Sequence, residues 1–281
     1  MKVLIVGCLG MLGTDLMAAF GPAHDLTGFD QKEMDITQPD QCRAGIEKLR
    51  PDVVVNAAAF TRVDDCETRQ SEAFLVNGEG AGNLAQAASR AGSLFVHYST
   101  DYIFDGFKPE AYLEQDAPNP QSIYGKSKLL GEILVRQNCP NHLIIRTSWL
   151  FGQNGVNFIR TIVGAARAGA PLRVINDQRG SPTYSKDVAA HTLRMIEAGC
   201  RSTYHLTNSG CCTWFELATK VLQWAGLEKV PIAPISTLEY GRPAPRPANS
   251  VLENARLIAQ GLPSMRPWQE AAREYLLHLP D

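Results

Sequence analysis

The stretch Lys2-Val3-Leu4-Ile5-Val6-Gly7-Cys8-Leu9-Gly10-Met11-Leu12-Gly13 decides the fold. Val3–Val6 is a continuous aliphatic run with no polar alternation, which reads as a parallel strand buried on both faces. It ends at Gly7, and Met11–Phe20 then takes helical spacing. Glycines between a buried strand and a helix let the backbone turn tightly and approach a pyrophosphate. The anion then rests on free amides at the helix N-terminus. The spacing here is GxxGxxG, and glycines also turn strands into helices in sheets that bind nothing. Gly7, Gly10 and Gly13 acquire meaning only from the rest of the chain.

Working outward, short apolar runs alternate with longer amphipathic ones. Leu26–Phe29 reads as a second strand, Val53–Asn56 as a third, Leu94–Tyr98 as a fourth and Leu143–Arg146 as a fifth. Between them, Ser71–Ala91 reads as one long alanine-rich helix and Gln121–Arg136 as another. This βαβα order predicts an α/β fold, a doubly wound parallel sheet of Rossmann type. After Trp149 the pattern loosens. Helices are expected over 157–167, 184–198, 213–225 and 268–276, a strand over 172–175, and a loop over 176–183. Residues 231–250 hold many prolines and read as a surface segment or lid. The expected division is a dinucleotide-binding domain over 1–150 and a smaller, mainly substrate-binding α/β domain over 151–281. Some segments of the second, about 155–200, return to the sheet.

The 281 residues carry a formal net charge of −2, with 44% hydrophobic and 20% charged residues. A chain of this length can bury roughly three quarters of its unfolded surface without a disulfide or metal staple. The balanced charge argues against a nucleic-acid polymer or an acidic membrane as partner. The seven cysteines are scattered and form no CxxC. They fit free thiols in a reducing cytosol rather than a disulfide framework or zinc site. No signal-peptide pattern and no membrane-length apolar run is present. A cytoplasmic setting is expected.

Asp30 ends the second strand, ~20 residues beyond the glycines, where a carboxylate accepts hydrogen bonds from an adenosine ribose. It favours NADH over NADPH, although Lys32 is close enough to weaken that preference. Asp35-Ile36 could cap the adenine pocket. Asn56-Ala57-Ala58-Ala59-Phe60-Thr61 leaves the third strand on small residues, which lets a cofactor lie against the strand ends or a helix pack there. Ser99-Thr100-Asp101 follows the fourth strand. On the next helix, Tyr124 and Lys128 are four residues apart and share a face. A phenol with an ordinary pKa of ~10 trades protons poorly at pH 7. A neighbouring ammonium would lower that value. Tyr124 could then donate a proton to a carbonyl oxygen as hydride reaches its carbon, with the Thr100 hydroxyl on the same oxygen.

With these residues in place, the chain resembles the extended short-chain dehydrogenases/reductases, and within them the dTDP-4-dehydrorhamnose reductase family. The closer likeness rests on Asn56–Thr61 with Val63-Asp64, on Ser99–Gly106, and on Tyr124-Gly125-Lys126-Ser127-Lys128. Further on it rests on Arg146–Gly152, Asn176–Thr183 and Arg246–Leu252. The resemblance implies reduction of the C4 keto group of dTDP-4-dehydro-β-L-rhamnose with NADH or NADPH. It implies that Tyr124 is the proton donor. Lys128 would lower the Tyr124 pKa and hold the nicotinamide ribose, and Thr100 would tune the tyrosine and contact the sugar. Gly10, Met11, Leu12, Asp30, Asp35, Ile36, Ala59, Phe60 and Thr61 would line the dinucleotide, and Asp101 and Trp149 the sugar. The substrate diphosphate needs positive partners, and Arg246, with Arg242, could close over it. Some relatives pair as magnesium-bridged dimers through acidic residues. Here Asp15 stands where a longer acid would be expected, so no metal is predicted and a homodimer stays open. Two other functions remain. One is another nucleotide-sugar 4-ketoreductase or epimerase. The other is a non-catalytic NAD(P)-binding subunit resembling the β subunit of methionine adenosyltransferase. A dehydratase would carry a glutamate at the position of Tyr102.

Overall fold

The computed structural model describes residues 1–21 and 23–279. Six parallel strands form the central sheet: β1 (Lys2–Val6), β2 (Asp25–Phe29), β3 (Val53–Asn56), β4 (Leu94–Thr100), β5 (His142–Thr147) and β6 (Ser202–His205). Their spatial order is β6-β5-β4-β3-β1-β2. The chain therefore reverses direction across the sheet between β1 and β3, which opens a crevice at their carboxyl ends.

The aliphatic runs are buried on both faces. Val3, Ile5, Val53 and Val55 pack with Leu12, Leu16, Phe20, Val188 and Met195 on one side. Leu4, Val6 and Val54 pack with Ile46, Leu84, Ala88 and Val135 on the other. Each fully buried aliphatic side chain contributes about 1.5–3 kcal/mol, so an unbroken run of them can exist only between two helical layers.

Several elements differ from the sequence reading. The expected loop over 176–183 carries two short strands, Arg179–Gly180 paired with Cys212–Thr213 and Thr183–Tyr184 paired with Leu150–Phe151. The expected single helix over 71–91 is three pieces: Gln70–Ala73, a π-helical turn Phe74–Gly80, and Ala81–Arg90. Its wide turn carries the buried Asn77, whose side chain takes the Phe60 backbone N–H at 2.8 Å and donates to the Phe60 carbonyl at 3.0 Å. A π-turn inside a helix commonly marks a functional site. The proline-rich segment 231–250 also has more structure than expected. Ile232–Ile235 pairs in parallel with Leu172–Ile175 away from the main sheet, and Thr237–Tyr240 forms a short helix. The strand by which the chain returns to the main sheet is β6, paired with β5 and just beyond the expected span of 155–200; Leu172–Ile175 within that span does not join it. Tyr98 of β4 meets Thr192 of the Ser185–Glu197 helix hydroxyl to hydroxyl at 2.7 Å. Among the described residues, no helix is long and apolar enough to cross a membrane.

Candidate functional site

The glycine turn is built as its spacing suggests. Gly7 has φ +82°, and a Cβ on it would lie 2.6 Å from the Ala58 nitrogen. A Cβ on Gly13 would lie 2.0 Å from the Gly7 carbonyl oxygen. Both positions exclude side chains because backbone passes against backbone. Gly10 takes the N-cap position of the Met11–Phe20 helix with no side-chain cap, so the amides of the first turn are left for another acceptor. Leu12 is buried in the core, and Leu12 and Gly13 can offer a ligand only backbone.

A cleft of about 410 Å³ opens beside this turn, and Gly7, Gly10, Asp30, Asp35, Ile36, Ala58, Ala59 and Phe60 all line it. The cleft thus joins the ends of β1, β2 and β3 at the switch point. Met11, Leu12, Gly13, Thr61, Tyr124 and Lys128 do not line it. Asp35 is partly engaged within the chain: its carboxylate accepts the Thr37 hydroxyl at 2.7 Å and the Thr37 N–H at 3.0 Å. Asn83 fixes the loop by donating to the Ile36 carbonyl at 3.0 Å. A larger cavity of about 470 Å³, between Arg179, Asn249 and Glu253, includes none of the predicted catalytic residues.

Tyr124 lies in the first turn of the Ile123–Asn138 helix. Ser122 caps that helix by accepting the Gly125 N–H, and Glu67 accepts the Ile123 N–H at 2.9 Å. The Tyr124 ring joins a small apolar cluster with Phe60 and Cys66, so the end of β3 and the Ile123–Asn138 helix meet there. Tyr102 packs edge-on against Tyr124, with ring centroids 5.6 Å apart. Thr100, at the end of β4, reaches the Tyr124 phenol, donates to Asp101 Oδ1 at 3.0 Å and accepts the Tyr102 N–H at 3.2 Å. Thr100, Asp101, Tyr102 and Tyr124 therefore form one cluster at the carboxyl edge of β4.

The expected effect of Lys128 on Tyr124 is not what this arrangement produces. Burial pushes the Tyr124 pKa above its ordinary value, the Thr100 hydroxyl works against that rise, and Asp101 and Tyr102 add to it. Lys128 is itself buried and donates to the Tyr98 carbonyl oxygen at 2.6 Å. Burial lowers its pKa to about 8, against the pull of Glu132. The reason is desolvation: removing water disfavours the charged form of both groups and moves the two pKa values in opposite directions. Asp101 is pushed up to about 6 by burial, with the Ser250 and Thr100 hydroxyls opposing. Its Oδ2 is buried without a hydrogen-bond partner.

Trp149 sits just past β5 at φ +46°, a conformation that side chains rarely adopt, and its ring stacks on Trp214 at 3.5 Å. It belongs with the partly buried hydrophobics around the C-terminal core. Arg246 is not free. It pairs with Asp64 at 3.0 Å, and Arg242 reaches the same carboxylate at 3.4 Å. The arginine segment is thereby strapped to the start of the Val63–Thr68 helix, next to the end of β3.

Several residues here escaped the sequence reading. Asp64 was visible only as part of the Val63-Asp64 pair. Asn77 had no signal, because it works through a π-turn. Glu132 stands four residues beyond Lys128, and that spacing could have flagged it. It is fully buried and takes Arg146 in two hydrogen bonds of 2.9 and 2.8 Å, and Arg136 in one of 2.6 Å. Among the described residues, no group of three or more His, Cys, Asp or Glu could hold a metal ion.

A family model described as "RmlD substrate binding domain" matches residues 1–280. The chain is 42% identical over 276 residues to the spore coat polysaccharide biosynthesis protein SpsK of Bacillus subtilis, covering 98% of this chain and 96% of that one. It is 40% identical to a dTDP-4-dehydrorhamnose reductase of Burkholderia thailandensis, covering 92% of each. The crystal structure of dTDP-4-dehydrorhamnose reductase from Bacillus anthracis in complex with NADP superposes with a TM-score of 0.96 at 37% identity, covering 99% of both chains. The chain belongs to the RmlD family, the family of the dTDP-4-dehydrorhamnose reductases.

Proposed function

We propose that this chain reduces the C4 keto group of dTDP-4-dehydro-β-L-rhamnose to give dTDP-β-L-rhamnose, with NADH or NADPH as hydride donor. The observation that carries this reading is the cluster of Thr100, Asp101 and Tyr124 at the end of β4, beside the cleft at the β1/β3 switch point. Residues 1–150 are the dinucleotide-binding part, and 151–281 mainly shape the sugar-nucleotide site. The compartment on this reading is the cytoplasm, in keeping with seven cysteines that are all unbridged.

The cleft suits a dinucleotide. Its uncapped helix amides match a pyrophosphate, its alanines leave room along the strand ends, and Asp30 matches a ribose with free hydroxyls. Asp30 favours NADH. A reduced nicotinamide, when bound, supplies the hydride for the carbonyl carbon. Tyr124 holds the proton the reaction needs. The phenol is protonated at neutral pH, and the Thr100 hydroxyl offsets part of the rise by which burial makes it a weaker acid. Thr100 orients the phenol, and Lys128, one helical turn on from Tyr124, holds the nicotinamide ribose. Asp101 and Trp149 border the sugar, and Arg246 and Arg242 meet its diphosphate by exchanging Asp64 for phosphate oxygens. Tyr102, in the place where a dehydratase would need a carboxylate, favours reduction over dehydration.

The test is NADH oxidation on adding the 4-keto sugar nucleotide. Tyr124→Phe should lower kcat by orders of magnitude with cofactor affinity little changed. Tight cofactor binding without turnover would leave only a binding module, and surviving kcat in Tyr124→Phe would remove the proton-donor assignment.

A further inference from the structure

The segment Asn176–Thr183 stands out in the sequence, yet the proposed reaction uses none of its side chains. Its residues meet the two parts of the site that handle the sugar nucleotide. Gly180 lies against Trp149: a Cβ there would come within 2.3 Å of the indole Cε2. Thr183 donates its N–H to the Trp149 carbonyl at 3.2 Å. Asp177 accepts both the N–H and the hydroxyl of Thr237, the hydroxyl at 2.6 Å.

Gln178 lies between these contacts. It is 3% exposed, and both ends of its amide are used. Its Oε1 accepts the Trp214 indole N–H at 3.2 Å, and its Nε2 donates to the Thr237 hydroxyl at 2.9 Å. Trp214 in turn stacks on Trp149 with the rings 7° from parallel, and Phe158 backs Trp214 at 4.6 Å. The Thr213 capping box fixes where the Trp214 helix begins. On the other side, Thr237 opens the short helix that ends at Tyr240, whose hydroxyl accepts from Arg242 at 2.8 Å. A single buried amide thus joins the indole pair to the base of the arginine strap. Trp149 holds an unfavourable positive φ, and such a conformation persists only where the surroundings over-determine it.

We propose that Gln178 is a positioning residue that sets the Trp149–Trp214 stack and the arginine strap relative to one another, and so governs recognition of the sugar nucleotide. This rests on the proposed roles of Trp149 and Arg246 in that recognition. Gln178 touches no reacting atom. It holds the surface that meets the sugar in register with the surface that meets the diphosphate. A buried amide that makes both its hydrogen bonds is strongly oriented, and removing one partner leaves the other unsatisfied.

The test compares Gln178→Met, which keeps volume and removes both bonds, with Thr237→Val, which spares the Trp214 bond and removes the strap-side bond together with the one the hydroxyl gives Asp177. KM for dTDP-4-dehydro-β-L-rhamnose should rise roughly tenfold in Gln178→Met and less in Thr237→Val, while KM for NADH stays within about twofold. Near-ultraviolet circular dichroism of Gln178→Met should lose the coupled indole signal of the stacked pair. Gln178→Glu, which still accepts the Trp214 N–H, should recover part of that signal. If Gln178→Met fails to fold, the sugar-nucleotide KM of Thr237→Val decides. An unchanged sugar-nucleotide KM in the folded variants, with only melting temperature lowered, would assign Gln178 a packing role and overturn the proposal. If the unaltered protein does not consume NADH with this substrate, the proposed function fails instead. The dichroism of Gln178→Met and Gln178→Glu then decides whether Gln178 orients the indoles: an unchanged signal in Gln178→Met overturns the proposal.

Discussion

At Lys128 an ammonium group is 3% exposed and donates to the Tyr98 carbonyl. Its folded-state pKa of about 8 lies below that of the unfolded chain, near 10.4. The folded protein therefore favours the neutral amine more than the unfolded chain does, although the ammonium still predominates at pH 7. At pH 7 the buried charge costs stability, and that cost fades as pH rises from about 8 towards about 10.4. Lys128→Met should raise the melting temperature at pH 7 by roughly 2–4 °C per kcal/mol recovered while abolishing turnover. A thermal melt beside an activity assay checks both; a lower melting temperature would mean that the Tyr98 bond outweighs the desolvation. In the unaltered protein, kcat/KM should fall as pH passes through about 8 and the ammonium is lost. The Tyr124/Lys128 pairing was legible in the sequence, because spacing along a helix is a local property. The direction of the Tyr124 shift was not, because it depends on water removed by Phe60, Cys66 and Tyr102 from other segments.

At the scale of elements, the Ile123–Asn138 helix is tied to the sheet by the buried pair of Glu132 and Arg146, which are 0% and 2% exposed. Burial would raise the Glu132 pKa. The Arg146 hydrogen bonds and charge, with help from Ser99 and Arg136, hold it well below the usual carboxylate range. The stability it contributes is fully present above about pH 4.3 and is lost as pH falls through the depressed folded value. Glu132→Ala leaves Arg146 buried without a counter-charge and should cost about 3–5 kcal/mol in urea unfolding. A loss below about 1 kcal/mol would mean that water reaches the guanidinium. The π-turn belongs to the same scale. A uniform helix over 71–91 is what alanine content and spacing predict, and only packing against Phe60 and Ser127 explains why Asn77 turns inward.

Across the whole molecule, the proline-rich strap is held to the first half of the chain by Asp64, which also accepts the Ala244 N–H at 3.2 Å. The Arg242 contact is half exposed, but the Arg246 pair is only 15% and 23% exposed, so Asp64→Ala should cost only about 1–3 kcal/mol of global stability. Amide exchange over residues 240–247 should nevertheless quicken severalfold, since the strap loses its carboxylate anchor to the Val63–Thr68 helix; unchanged exchange would show that the strap is held elsewhere. By itself the sequence determined the doubly wound sheet, the glycine turn and the shared helix face of Tyr124 and Lys128. Aliphatic runs, glycine spacing and helical periodicity are all read within one segment. Tertiary structure decided which groups lose water and which distant segments meet. Arg246 finds Asp64 across 182 residues of chain, Trp149 finds Trp214, and Gln178 reaches Thr237. Long-range pairing and desolvation exist only once the chain has closed on itself, and so they set the protonation states and the shape of the site.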